Sequence, residues 1–109
     1  MYINPLWLDF DKHTKALGLS GWYSDVSDTV DNHIDAICIE RGISNIPVDQ
    51  NGYIDSPFLR SIAVDYAVFT MLVGNWGVVD TDAGIYQDKA QYHWGQYDKN
   101  VKNLCPSLV

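Results

Sequence analysis

"PFLRSIAVDYAVFTMLV", residues 57–73, sets the architecture of this chain. At helical spacing Phe58, Leu59, Ile62, Ala63, Tyr66, Ala67, Phe69, Thr70 and Val73 make one broad face. Val64, Val68, Met71 and Leu72 spread apolar surface over most of the remainder. An amphipathic surface helix buries one stripe, whereas a helix apolar nearly all round must be covered from several sides. The stretch predicts either the central helix of the domain or a helix partly covered by another subunit. Ser56-Pro57 suits its start, a capping hydroxyl followed by a proline in the first turn, and Gly74-Asn75-Trp76-Gly77 its end. Asp65 interrupts the apolar pattern, and an unpaired carboxylate there would be costly. Arg60 is five residues away and poorly placed, so a buried ion pair with Arg41 is the leading expectation.

Immediately upstream, "VDQNGYIDS" (residues 48–56) looks like the middle of a calcium-binding EF-hand loop. With Gly52 at the loop's sixth position, Asp49 and Asn51 fall correctly, but the first position is Pro47 and the twelfth is Phe58. Two essential oxygen ligands are missing. Asn51-Gly52 is a strong turn dipeptide, flanked by Ile46-Pro47-Val48 and Tyr53-Ile54. The bland reading is therefore a short β-hairpin, with Pro47 confining the first strand to an edge.

Further outward, residues 9–17 read as a short helix ending at Gly18, and a second helix runs from a cap at Ser24 or Asp25 to about Arg41, stopping at Gly42. Its apolar residues Val26, Val30, Ile34 and Ile37 form one stripe. Asp25, Asp28, Asp31 and Asp35 form another, well away from the first. Downstream, Asp80 or Thr81 can open a fourth helix reaching about Leu104. Its seam is Tyr86, Ala90, His93, Tyr97, Val101 and Leu104, flanked by Tyr92 and Trp94. The expected fold is mainly α: a small bundle of about four helices with one short β-hairpin and extended terminal arms. It forms a single domain over residues 1–109, with an N-terminal arm at 1–8 and a C-terminal tail at 105–109.

Composition narrows the function classes. A chain of 109 residues with 47% apolar content can build one core. The net charge of −7 argues against gripping nucleic-acid phosphates, which takes clustered Lys and Arg. Without basic residues interleaved, the aromatics of the last helix read as a packing seam plus a subunit contact rather than as base-stacking platforms. No basic segment followed by an apolar run opens the chain, and the apolar tract at 62–73 is short for a bilayer. A soluble, intracellular protein is expected. Cys38 and Cys105 are far apart and in no metal or redox spacing, so they read as reduced, non-catalytic thiols.

No glycine loop of nucleotide-binding type, no nucleophile elbow and no HExxH is present. His13, His33 and His93 are scattered. His33 lies beside Asp28, Asp31 and Asn32, and reads as an exposed imidazole on an acidic helix, since no second ligand cluster completes a metal geometry. No catalytic residue, metal ligand or cofactor site is assigned. The aspartate stripe is open to several readings: a solvated face, a cation site, a docking face or a DNA-mimicking surface.

The order of elements resembles a known family. An acidic amphipathic helix (residues 26–41) leads to a proline-containing connector, "NIPVDQNGYIDSP". An aromatic-rich buried helix, "FLRSIAVDYAVFTML", follows, and then a polar-aromatic one, "YQDKAQYHWGQYDKNVKNL". Over residues 20–104 this resembles the head completion, or head-to-tail adaptor, proteins of tailed bacteriophages, in pattern and length rather than by a diagnostic motif. The resemblance implies a structural virion protein of the neck, made in the host cytoplasm, without enzymatic activity or cofactor. Copies would form a ring, dodecameric by the resemblance, that docks beneath the portal protein and receives a tail or stopper protein. DNA would pass through without specific binding, and no membrane is involved. An acidic channel face of Asp25, Asp28, Asp31 and Asp35 would repel phosphates. Subunit or portal contacts would come from Trp7, Tyr86, Tyr92, Trp94, Tyr97, Leu104 and Leu108. Trp7, Phe10 and Trp22 match no feature of the family. The alternative is a small acidic inhibitor that mimics DNA and blocks a nucleic-acid enzyme.

Overall fold

The computed structural model describes residues 1–75 and 83–109. Among the described residues there are five α-helices: α1 (Lys12–Leu17), α2 (Leu19–Trp22), α3 (Ser27–Glu40), α4 (Pro57–Asn75) and α5 (Ala83–Lys102). Short 3-10 turns occupy Pro5–Leu8, Tyr23–Asp25 and Pro106–Leu108.

Local chemistry explains the helix ends. Asp11 caps α1 by accepting from the Thr14 N–H at 2.8 Å, while the Asp11 N–H donates to Thr14 Oγ1 at 3.2 Å. This reciprocal pair satisfies two backbone donors at once. Gly18 ends α1 at φ +69° and Gly42 follows α3 at φ +79°, both in the left-handed region that only glycine adopts cheaply. The expected side-chain cap on α3 does not form: its N-cap is Val26, and a 3-10 turn over Tyr23–Asp25 feeds the helix instead. Residues 80 and 81, read as the start of the last helix, lie outside the described residues.

The α4 helix is central, as its composition predicts. Leu59, Ile62, Ala63, Ala67, Val68, Met71 and Leu72 are buried, and Phe58, Val64, Tyr66, Phe69 and Val73 pack half-buried against that core. By length and composition alone Pro57–Gly74 is apolar enough to cross a membrane, with mean hydropathy 1.3. That reach is longer than the 62–73 tract suggested. Here its apolar surface is instead consumed by α3, α5 and the N-terminal segment. α4 and α5 run antiparallel, with Tyr66 beside Tyr97 (5.2 Å between ring centroids) and Phe69 beside Trp94 (4.8 Å).

The expected hairpin is corrected by the structure. Among the described residues the only ladder pairing is a single antiparallel bridge between Val48 and Ile54. The turn itself exists, with Gly52 at φ +84°. Inside it the Asp49 carboxylate accepts from the N–H groups of Asn51 (2.8 Å) and Tyr53 (3.1 Å). A side chain thus satisfies donors that a longer hairpin would commit to a ladder. The Ile54 N–H turns to the Tyr2 carbonyl at 2.8 Å, so the N-terminal segment, not a second strand, completes this connector.

The terminal arms are corrected too. Residues 1–8 do not project as a free arm: Ile3 and Leu8 are buried in the core, and Asn4 caps the turn at Pro5–Leu8 by accepting from the Leu6 N–H. Burying two such side chains is worth about 1.5–3 kcal/mol each, enough to hold a short segment down. At the other end Leu104 is buried, and a 3-10 turn at Pro106–Leu108 leaves Leu108 exposed and Val109 packed against the core.

Candidate binding cleft

A concavity of about 460 Å³ lies where the N-terminal segment meets α4 and α5. Helical spacing places Arg60, Ser61, Val64 and Asp65 on one face of α4, and His93, Gln96 and Asn100 on one face of α5. Trp7 and Phe10 close the third side, and Tyr92 stands at the rim.

On the floor, His93 Nδ1 and Asp65 Oδ1 are 2.8 Å apart, with His93 only 4% exposed. Asp65 therefore pairs with His93, correcting the expected Asp65–Arg41 ion pair. The reason is registry: α5 crosses α4 so that the one polar residue on its seam faces the one acid of α4. The Nδ1–H donates to Asp65, which fixes the tautomer and leaves Nε2 as the free ring nitrogen. That atom is buried and has no hydrogen-bond partner among the described residues. Ser61 lines the same cleft, but its hydroxyl donates to the Pro57 carbonyl at 3.2 Å. The nucleophile-to-base contact that a hydrolytic triad requires is therefore not made by Ser61.

Arg60 Cζ sits 4.1 Å from the centroid of the Trp7 ring, a cation–π arrangement. Its Nη2 donates to the Ile54 carbonyl at 3.4 Å, while its Nε is buried with no partner among the described residues. Trp7 itself packs edge-on against Tyr53, with centroids 5.9 Å apart. Phe10 lies edge-on to His93 at 5.4 Å. Lys89 spans the edge of the site, 5.5 Å from the Phe10 ring and ion-paired to Asp11. Burial alone would raise the Asp11 carboxyl, but hydrogen bonds from Lys89 and Thr14 outweigh it and bring it to about 2.

The residues singled out from sequence are dispersed. Asp25 and Asp28 are exposed, as an acidic face requires. Asp31 and Asp35 are engaged by Tyr2, whose N–H donates to Asp31 at 3.0 Å and whose hydroxyl donates to Asp35. The hydrogen bond to Asp35, reinforced by burial and by that acid's charge, pushes the Tyr2 phenol up to about 12. Half of the acidic stripe is thus a fastening for the N-terminal segment.

Among the expected contact residues, Tyr92, Trp94 and Leu108 are exposed. Tyr97 and Leu104 are buried within the subunit, which corrects their assignment to outer contacts, and Trp7 is half-buried in the cleft. Tyr86 lies on α5 with its side chain outside the described residues. His33 is likewise not an exposed imidazole. It stacks on Tyr66 with ring centroids 3.8 Å apart and planes 5° from parallel, and its Nε2 meets the Tyr97 hydroxyl. Burial holds the His33 imidazole below its usual range and pushes the Tyr97 phenol up to about 12, the latter aided by nearby Tyr66, Asp98 and Glu40. Cys38 is buried and Cys105 partly exposed, and both are free thiols.

Among the described residues no group of three His, Cys, Asp or Glu side chains is arranged to hold a metal. The cleft escaped the sequence reading because Trp7, Arg60 and His93 belong to three separate elements. One signal was available: Asp65 and His93 are the odd polar residues on two adjacent apolar seams, and each needs the other. No family model, curated protein or solved structure matches the chain.

Proposed function

We propose that the chain is a structural virion protein, a head-to-tail adaptor that docks on a portal ring in several copies and extends the DNA channel toward the tail. The observation that supports this reading is leftover apolar surface on α5. Tyr92 is 61% and Trp94 43% exposed, on a helix whose inner seam is already closed against α4. Aromatic side chains left outside a finished core are the groups that subunit interfaces favour. The support is narrower than the composition of α4 implied, because that helix keeps its large side chains against its own core. Lateral contact in the ring therefore falls to Tyr92 and Trp94, with Leu108 available to a portal or tail partner. Asp25 and Asp28 are the acids left to face a channel, and Asp31 and Asp35 act within the subunit. The DNA-mimic alternative loses ground for the same reason, since with Asp31 and Asp35 engaged the stripe keeps only Asp25 and Asp28 free, too few for an extended phosphate-like array.

The test is co-assembly. The purified chain is mixed with a candidate portal protein from its source genome and imaged by electron microscopy. A second ring of density under the portal is expected, and a Tyr92→Ser, Trp94→Ser double variant, shown by circular dichroism to keep its helical fold, should lose that ring. A portal that stays bare at saturating concentrations of the wild-type chain overturns the reading.

A further inference from the structure

We infer that the cleft between the N-terminal segment, α4 and α5 is a binding site for a carboxylate attached to an apolar or aromatic body, held by Arg60 and His93. Nothing in the adaptor reading calls for this site.

Two buried nitrogens point to it. His93 is 4% exposed, and its Nε2 has no hydrogen-bond partner among the described residues. The Arg60 Nε is buried and equally unpartnered. Leaving a buried polar group unsatisfied is unfavourable by about 1–3 kcal/mol, and here the two residues that carry such groups line the same concavity from adjacent helices. A single ligand that displaced the side chains covering these atoms and accepted from both would remove both penalties.

The chemistry selects the ligand. Arg60 is a permanent cation whose Nε–H can only donate. His93 has its Nδ1 directed at the Asp65 carboxylate, which leaves Nε2 to meet a ligand, as a second donor when that nitrogen carries a proton. Two donors on one side match the two oxygens of a carboxylate. Trp7, Phe10, Val64 and Tyr92 give the rest of the cleft apolar walls, which suits an organic body and leaves few donors for a phosphate. Gln96 and Asn100 stand on the His93 face of α5 as neutral hydrogen-bonding groups at the far end. The charged groups around His93 are Asp65 and Arg60 from α4, Lys89 from α5, and Asp11 from the turn before α1. Lys89 and Asp11 pair with each other. Phe10, 47% exposed and edge-on to His93, is the side chain that must swing aside to admit the carboxylate.

The test uses the full chain and phenylacetate as probe, followed by NMR shift perturbation. Shifts are expected to map to Trp7, Tyr92 and His93, and phenylacetamide, isosteric but uncharged, should bind at least about tenfold more weakly, the loss of one charge-assisted hydrogen bond. Arg60→Met keeps the packing on Trp7 and should weaken phenylacetate by a similar factor, as should His93→Gln. The melting temperature of each variant is measured first, and Arg60→Met carries the conclusion if His93→Gln fails to fold. One peptide separates the sources of the group. Acetyl-Gly-Phe with a free carboxyl terminus competing better than phenylacetate assigns the site to a polypeptide C-terminus, and the reverse assigns it to a small organic acid. Absence of binding at millimolar phenylacetate overturns the inference, as does equal binding of the amide, or inorganic phosphate competing equally well.

Discussion

Asp65→Ala is the most informative single perturbation. Asp65 accepts from a histidine that is almost wholly buried, at 2.8 Å and with its own side chain 16% exposed. The alanine removes a hydrogen bond of charged type, worth about 1.5–3 kcal/mol, and leaves Nδ1 as orphaned as Nε2 already is. The sum is a destabilisation of about 3 kcal/mol. With an unfolding entropy near 2.1 cal/mol/K per residue, that lowers the melting temperature of a 109-residue domain by roughly 13 °C. Asp65→Asn retains a carbonyl acceptor for the Nδ1–H and should cost only about 1 kcal/mol. Urea unfolding followed by far-ultraviolet circular dichroism measures all three proteins, and a double-mutant cycle with His93→Ala should return a coupling of at least about 1.5 kcal/mol. Arg41→Ala, at the residue that sequence spacing favoured as the partner, should change stability by less than about 0.5 kcal/mol. The reasoning fails if Asp65→Ala unfolds within about 0.5 kcal/mol of wild type, roughly the error of the assay, or if Arg41→Ala is the more damaging of the two.

Three further outcomes follow from other contacts. Tyr2→Phe removes the hydrogen bond to Asp35 and should destabilise by about 1 kcal/mol, with faster amide exchange across residues 2–8. Because the Tyr2 phenol is raised to about 12, its stabilisation is complete below pH 10 and lost as pH climbs through 12, so an ultraviolet titration should find it ionising later in wild type than an exposed tyrosine does. His33 behaves with the opposite sign. Burial depresses its imidazole, so the unfolded chain takes up its proton first and stability falls as pH drops below about 6.5. His33→Phe keeps the stack on Tyr66 and should flatten the acid side of the melting-temperature profile. Finally, millimolar calcium should shift the melting temperature by less than about 1 °C, since tight binding would shift it far more by mass action, whereas Gly52→Ala, forced to φ +84°, should cost about 1 kcal/mol.

Periodicity made α4 readable as the core helix, and glycines at positions 18 and 42 fixed where α1 and α3 stop, because both signals are local and repeat within a few residues. The hairpin was over-read from an equally local signal. Asn51-Gly52 does make a turn, but whether two short flanks then pair depends on competing partners, and here Asp49 and the Tyr2 carbonyl take the donors. The acidic stripe was legible as a face of α3, yet its division into two exposed acids and two that hold Tyr2 was not, because the deciding residue lies about thirty positions away.

The sequence by itself determined the class of the molecule: a helical domain around an apolar α4, an acid-rich α3 and an aromatic α5, since hydrophobic spacing and capping residues act over single turns of chain. Only the tertiary structure decided what the polar residues inside that frame do. It brought His93 to Asp65, Arg60 to Trp7, and His33 between Tyr66 and Tyr97. Each of those pairings joins residues from different elements, and their encounter depends on how whole helices register against one another, a choice made by the packed core as a unit.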